Sequence, residues 1–302
     1  MRPRNMIFFK KMAFCALFMS IANSGFAQHN VLRKKAEELV KSKPAAVGFS
    51  IINLKTGDTL SVNGEKHLPM QSVYKFHLAL AVLKQVDQNK FTLDQKILVK
   101  KKDLLPNTWS PLRDKYPGGN IKLPLSEILF YTVAQSDNNG CDILFRLLGG
   151  PEIVNKYIHS LGIKDVEIRS TEEQMHADDQ LQFKNWTTAN AATQLLKRFY
   201  TGQLLKQPTN DFLMKIMAGT TTGTGKLKGK LPTGTEVAHK TGYSGQNEAG
   251  IIAATNDIGI ITLPDGTHFA IAIFVSMTAL DEKASDQIIA ELAKLSWDEF
   301  AS

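Results

Sequence analysis

Strand-like apolar stretches open the chain's regular structure at Ala46 to Asn53 and Asp58 to Val62, and the short link Lys55-Thr56-Gly57 predicts that they pair antiparallel. Three more such stretches come late, Gly250 to Thr255, Ile258 to Leu263 and His268 to Ser276, separated by Asn256-Asp257 and by Pro264-Asp265-Gly266. Both separators are good turn chemistry, so the pattern predicts a meander. The long middle has helical periodicity, as at Leu125 to Ala134 after Pro124 and at Cys141 to Leu148 before Gly149-Gly150. A final amphipathic helix is predicted over Asp281 to Trp297. If the early and late strands share one sheet, both ends of the chain build an α/β domain, residues 28–66 and 220–302, with an all-α domain over 67–219 inserted between them. The cleft between two such domains is the expected place for chemistry. No internal repeat or low-complexity segment interrupts this plan, and Lys100-Lys101-Lys102 reads as a solvated face.

The first 27 residues change the picture of compartment and charge. Arg2, Arg4, Lys10 and Lys11 lead into the apolar run Met12 to Ile21, and Gly25-Phe26-Ala27 offers small residues at both cleavage positions. This is a secretory signal, with cleavage expected near Ala27 and a secreted or periplasmic product. Phe14 before Cys15, and the place of Cys15 early in the run, argue against a lipoprotein signal. The whole chain of 302 residues has 36 basic and 29 acidic residues, formally +7; losing the four leader cations leaves 32 against 29, or +3. That balance is too mild to imply nucleic acid. No later stretch has the length of a transmembrane helix, so no membrane association is expected after processing. Only Cys141 remains, so no internal disulfide is available and a hydrophobic core must hold the protein together. At 43% apolar and 22% charged, the composition supports one.

Three short constellations carry candidate chemistry. Ser72-Val73-Tyr74-Lys75 opens a strongly apolar helix, and three residues is nearly one helical turn, so Ser72 and Lys75 project to the same side. A desolvated lysine loses its proton more readily and can accept that of a neighbouring serine, making the hydroxyl a nucleophile. Taken singly, the same residues also describe a serine cap beside a snorkelling lysine. Ser136-Asp137-Asn138 lies between two predicted helices; its serine could relay a proton to a leaving nitrogen, and the Asn138 amide could hold a substrate carbonyl and touch Lys75. A capped interhelical loop is the plainer account of that segment. Lys240-Thr241-Gly242, reached through Val237-Ala238-His239 on a predicted strand, could bind a carboxylate, with the glycine giving clearance for ligand. An edge strand with a charged residue would look the same. The seven histidines show neither H-x-x-x-H nor H-x-H spacing, which argues against metal hydrolysis, and Thr222-Gly223-Thr224-Gly225-Lys226-Leu227 lacks the spacing of a phosphate-binding loop. No metal or cofactor is expected.

In combination the three are much more specific. S-x-x-K, S-D-N and K-T-G in this order, on a helix start, a loop and a strand, are the signature of penicillin-recognising serine enzymes. The chain resembles the class A (serine) β-lactamases over most of its mature length. The resemblance implies an α+β two-domain fold, a five-stranded antiparallel sheet with flanking helices plus an inserted all-α domain. It also implies a glutamate on an omega loop that activates the deacylating water; Glu172, in Arg169-Ser170-Thr171-Glu172-Glu173-Gln174-Met175-His176, aligns with it, and Glu173 is its rival. Three departures stand out: Glu173 in place of a proline, His176 in place of the asparagine that helps hold that water, and Tyr243 after K-T-G in place of a small residue. The E-x-Q-M-H version of the loop is similar to that of the cephalosporinase and extended-spectrum branch.

The implied mechanism has Ser72 attack the lactam carbonyl, with Lys75 or Glu172 as the base for that step. Backbone N–H groups of Ser72 and Tyr243 would form the oxyanion hole, Ser136 would protonate the lactam nitrogen, and Glu172 would activate water against the acyl-enzyme. Lys240 and Thr241 would hold the ligand carboxylate beside Gly242, with Lys226 replacing an arginine common in the family; Trp109 resembles the aromatic at the cleft mouth. The expected partner is a small-molecule β-lactam, and the expected state a monomer. A D-Ala-D-Ala carboxypeptidase or transpeptidase, or a sensor acylated once without turnover, are the competing readings, and Glu172 is the feature against both.

Overall fold

The computed structural model describes residues 31–301, so the expected signal segment lies outside the described residues. A five-stranded, wholly antiparallel sheet is built from β1 (Ala46–Asn53), β2 (Thr59–Val62), β3 (Val237–Tyr243), β4 (Ile252–Thr262) and β5 (His268–Thr278), in the order β2-β1-β5-β4-β3. The helices used below are α1 (31–41), α2 (Tyr74–Asp87), α3 (Leu125–Ala134), α4 (Asn138–Leu148), α5 (Pro151–Ser160), α6 (Glu172–Ala177), α7 (Ala189–Tyr200), α8 (Gln207–Ala218) and α9 (Glu282–Ala301). None of the described helices is long and apolar enough to cross a membrane.

Period-two alternation explains why both faces of the sheet are covered. Along β5, Phe269, Ile271, Ile273 and Val275 enter one core with α1 and α9, whereas Ala270, Ala272 and Phe274 enter a second core with the helical region. At the centre of that second core lies α2. Its residues Tyr74 to Leu83 are all buried, as expected of a helix that is apolar on every side. Two polar members of that run, Lys75 and His77, are therefore buried by the helix that carries them.

Four expectations need correction. The sequence predicts a turn at Asn256-Asp257, but β4 runs unbroken through both residues. Both are fully buried and both find polar partners. Asn256 Nδ2 donates to the carbonyls of Pro69 at 2.8 Å and Met70 at 3.1 Å, and the Asp257 carboxylate accepts from His239 Nδ1 at 2.9 Å and from the Leu227 N–H at 3.2 Å. Turn-forming side chains are also good hydrogen-bonding groups, and tertiary partners here outweigh local propensity. The fifth strand is instead β3, the segment with the K-T-G motif. Secondly, α4 begins at Asn138 and not near Cys141, because Asp137 accepts the Gly140 N–H at 2.7 Å as its N-cap. Thirdly, Ser72 precedes α2, within a 3-10 turn over Gln71–Val73. The last helix also extends past Trp297, to Ala301.

Since Asn256 ties β4 to Pro69 and Met70, immediately before the Gln71–Val73 turn, its loss acts on both stability and the site. Asn256→Ala is expected to cost about 1–3 kcal/mol, the price of buried acceptors left unpaired, with a drop in midpoint on thermal denaturation as the check.

Candidate active site

The elements converge on one cleft. Two hollows share Ser72, Asn138 and Tyr243 in their walls: one of about 310 Å³ that includes Trp109, Ser136, Lys226, Thr241 and Gly242, and one of about 200 Å³ that includes Gln71, Glu172, His176 and Gln182. Of the residues expected in the site, Ser72, Trp109, Ser136, Asn138, Glu172, His176, Lys226, Thr241, Gly242 and Tyr243 line this cleft, and Lys75 and Lys240 are fully buried behind it; the rival Glu173 does not line it.

Lys75, one residue into α2, is the hub. Its Nζ donates to the Ser136 carbonyl at 2.8 Å and to Asn138 Oδ1, and lies 3.0 Å from Glu172 Oε1. Asn138 is held from its other end, where Nδ2 donates to Thr108 Oγ1 at 2.7 Å. Ser136 is held in the left-handed region at φ 56°, and Gln71, beside Ser72, at φ 46°. Non-glycine residues in this region concentrate at functional sites, where surrounding contacts over-determine them. For Ser136 those contacts come from Asp137, which is fully buried and accepts from Ser110 Oγ, the Leu112 N–H and the Gly140 N–H. Burial raises the carboxyl pKa of Asp137, against the lowering effect of these bonds.

Glu172 and Glu173 are adjacent, yet their environments differ sharply. T-E-E-Q is a capping box: Thr171 Oγ1 accepts the Gln174 N–H at 3.2 Å and Gln174 Oε1 accepts the Thr171 N–H at 3.0 Å, starting α6 at Glu172. Helix geometry then separates neighbouring side chains by about 100°. Glu172 points inward to Lys75, while the Glu173 side chain is 59% exposed and lies 3.8 Å from Arg146. The loop is closed at its neck by Asn185, whose Oδ1 accepts the N–H groups of Arg169 and Ser170, and whose Nδ2 donates to the Ser170 carbonyl. His176 lies one turn after Glu172 on the same hollow.

Asp142 is a site residue that the sequence reading missed. Its carboxylate accepts the N–H groups of Glu172 and Glu173, each at 2.9 Å, and so fixes the start of α6 on α4. Burial and then the Glu172 charge push its pKa up to about 7. The signal was present, since Asp142 is four residues after Asn138 and shares its helix face. Tyr74 is likewise buried beneath the site, with its hydroxyl 3.7 Å from Cys141 Sγ; burial raises the pKa of both groups well above their usual values. Gln71 reaches across the cleft to Gln182, Nε2 to Oε1 at 2.5 Å.

On the opposite wall, Lys240 Nζ donates to Ser136 Oγ at 2.9 Å and to the Thr241 carbonyl at 2.8 Å. Its pKa is lowered well below that of a free lysine, first by burial and next by the charge of Lys75. Thr241 Oγ1 pairs with Thr222 Oγ1 at 2.6 Å, which gives Thr222 a place in the site that no sequence motif indicated. Gly242 is required sterically: a Cβ there would sit 2.5 Å from the Met70 carbonyl, so only glycine lets β3 run flush against the turn that presents Ser72. Trp109 is exposed at the cleft mouth, its indole N–H donating to the Gln135 carbonyl at 2.8 Å. Lys226 is at the cleft wall, but its ammonium is ion-paired with Asp286 and lies 5.6 Å from the centre of the Tyr243 ring. Among the described residues, no group of three or more His, Cys, Asp or Glu side chains is placed to hold a metal ion.

The arrangement offers a hydroxyl on a strained turn, two buried amines, a second hydroxyl between them and an inward carboxylate, which is a full set for acyl transfer to and from a serine. Residues 31–300 match the profile of the Beta-lactamase enzyme family. The beta-lactamase VEB-1 of Pseudomonas aeruginosa is 45% identical over 285 residues, 94% of each chain, and the extended-spectrum beta-lactamase PER-1 of the same organism is 44% identical over 90% of this chain and 88% of its own. Among solved structures, the TLA-1 extended-spectrum beta-lactamase is 52% identical with a TM-score of 0.89, covering 90% of this chain and 99% of that one. A beta-lactamase from Chitinophaga pinensis is 50% identical with a TM-score of 0.87, over 88% and 98% of the two chains.

Proposed function

This chain belongs to the beta-lactamase enzyme family, in its serine class A, and from that premise we propose how its residues divide the work. It is an enzyme that hydrolyses the β-lactam amide bond and thereby confers antibiotic resistance. In our reading Ser72 Oγ attacks the lactam carbonyl while its proton leaves through the Lys75–Glu172 pair. Oxygen charge developing on that carbonyl is met by the N–H groups of Ser72 and Tyr243, donors worth roughly 3 kcal/mol each in such sites. The C–N bond then breaks, and Ser136, hydrogen-bonded to the Lys240 ammonium, passes its proton to the departing nitrogen. Lys240, Thr241 and the Thr222 hydroxyl take the ligand carboxylate, while Lys226, at the cleft wall, has its charge balanced by Asp286. Asn138 holds the acylamide side of the ligand, and Trp109 closes the mouth.

Deacylation falls to Glu172, which takes a proton from water as that water attacks the acyl carbon, with His176 bordering the same hollow. The observation that carries this reading is the 3.0 Å contact between Glu172 Oε1 and Lys75 Nζ next to Ser72, while Glu173 faces solvent. A carboxylate so placed favours turnover over the carboxypeptidase, transpeptidase and one-shot sensor alternatives. We also assign the protein to the cephalosporinase and extended-spectrum branch, in line with the names of its relatives. It is exported by residues 1–27, cut near Ala27, and works in the periplasm or outside the cell as a soluble monomer that needs no cofactor. Its α/β domain (28–66 and 220–302) and all-α domain (67–219) meet at the cleft.

Burst kinetics on the native enzyme with a chromogenic cephalosporin test the reading. Sustained turnover, with the protein mass returning to that of the free enzyme, is expected. One equivalent of product followed by a flat line and a persistent adduct would overturn it.

A further inference from the structure

A fully buried ammonium needs a compensating charge. Lys240 is fully buried, and among the described residues it bonds directly to a hydroxyl and a carbonyl, not to a carboxylate. Across the cleft Lys75 adds a like charge, and the carboxylate of Glu172 is already paired with Lys75. One other buried acid lies close behind the strand. Asp257 on β4 sits opposite Thr241, one position from Lys240 in the β3–β4 ladder, and is fully buried. Both of its oxygens accept from His239 Nδ1, at 3.0 and 2.9 Å, and His239 immediately precedes Lys240. The Leu227 N–H completes its shell. By strand alternation His239 and Asp257 face the side of the sheet that carries Val237 and Ile261, opposite to Lys240, so this charge acts on Lys240 through the strand.

We infer that Asp257, held in place by His239, is the counter-charge that keeps Lys240 cationic in the empty cleft, and so sets the alkaline limit for capture of the β-lactam carboxylate. The inference rests on the assignment of Lys240 as the carboxylate-binding group. The electrostatic environment is consistent with it: Asp257 favours the charged form of Lys240 more than Glu172 or Cys141 does, while burial and Lys75 oppose it. The acids on neighbouring elements are engaged or exposed: Asp137, next to Ser136, accepts from Ser110, Leu112 and Gly140, and Glu282 of α9 is exposed at the cleft wall. The buried residues of α8 (Thr209, Asn210, Leu213, Ile216, Met217) and of α7 are uncharged, as is the Gln71–Val73 turn. On the far side, Asp286 of α9 is committed to Lys226. Asp257 is thus a positioning residue, acting through Lys240 without reaching the ligand.

The test is the pH dependence of kcat/KM for a carboxylate-bearing cephalosporin, with KM and kcat resolved separately. Asp257→Asn removes the charge, so Lys240 should lose its proton sooner. The alkaline limb is expected to move down by about one pH unit, giving up to ~10-fold lower kcat/KM above it, carried by KM, with the acid limb unmoved. Should Asp257→Asn alone not fold, the double variant His239→Asn/Asp257→Asn restores a neutral hydrogen-bonded pair and is expected to show the same shift. A folded variant whose alkaline limb stays in place, or whose kcat/KM falls evenly at every pH, overturns the inference. Lys240→Arg separates the two layers of the argument, since arginine stays protonated. If that variant does not move the alkaline limb upward, the role given to Lys240 fails and this inference with it. If it does while Asp257→Asn has no effect, only the inference fails.

Discussion

Glu172→Gln is expected to convert the enzyme into a trap: about one equivalent of product released in a burst, then turnover slowed by ~10²–10⁴-fold, the range a general base contributes. The amide keeps the size and the hydrogen-bonding reach of the carboxylate toward Lys75 but can no longer take a proton from water. Acylation has a second base at hand in Lys75, so the adduct on Ser72 forms faster than it is lost, and intact-protein mass spectrometry should show it. Glu173→Gln is the internal control. Its side chain is solvent-facing and only 3.8 Å from the exposed guanidinium of Arg146, an arrangement worth little in water. That variant should turn over within about twofold of the native rate, as most surface substitutions leave stability and geometry intact. Turnover that survives in Glu172→Gln and disappears in Glu173→Gln would reassign the water-activating group.

Asp137→Ala should have the largest effect on the fold. The carboxylate is fully buried and is the acceptor for three donors from two segments of the chain: Ser110 Oγ at 2.9 Å, the Leu112 N–H at 2.7 Å and the Gly140 N–H at 2.7 Å. Alanine leaves all of them without a partner in a region that excludes water. At about 1–3 kcal/mol for each orphaned buried group, the loss should reach at least ~3 kcal/mol, or roughly 6 °C or more in Tm for a chain of this size. The site suffers too, because Ser136 and Asn138 flank Asp137 and the left-handed backbone of Ser136 depends on this anchor. Displacement of reacting groups by about 1 Å is enough for ~10²-fold in rate, so kcat/KM should fall by that order even well below the melting temperature. A variant that melts like the native protein would show that the three donors find other acceptors.

How much of this was legible beforehand varies from residue to residue. Ser72 and Lys75 are one helical turn apart, Asp137 is a capping residue beside two chemically useful neighbours, and Lys240-Thr241-Gly242 lies on a strand. Each is a local pattern, and their order along the chain was enough to point to the family. The fold class was legible for the same reason, because an apolar α2 and period-two strands are written in nearest neighbours. Asn256-Asp257 shows the limit. Their turn propensity was read correctly as chemistry and wrongly as conformation, since the partners that hold them in a strand, Pro69, Met70, His239 and Leu227, are 18 to 187 residues away.

What the sequence by itself determined, then, is the inventory: two serine hydroxyls, two amines, two adjacent acids and the elements that hold them. Tertiary structure decided which acid faces Lys75, that Lys226 is bound to Asp286, that Asp142 fixes the start of α6 and that an aspartate stands behind Lys240. The physical reason is that charge and proton affinity are set by burial and by neighbours in space. A pattern of adjacent residues specifies the side chains available, but only packing settles which of them are shielded from water together.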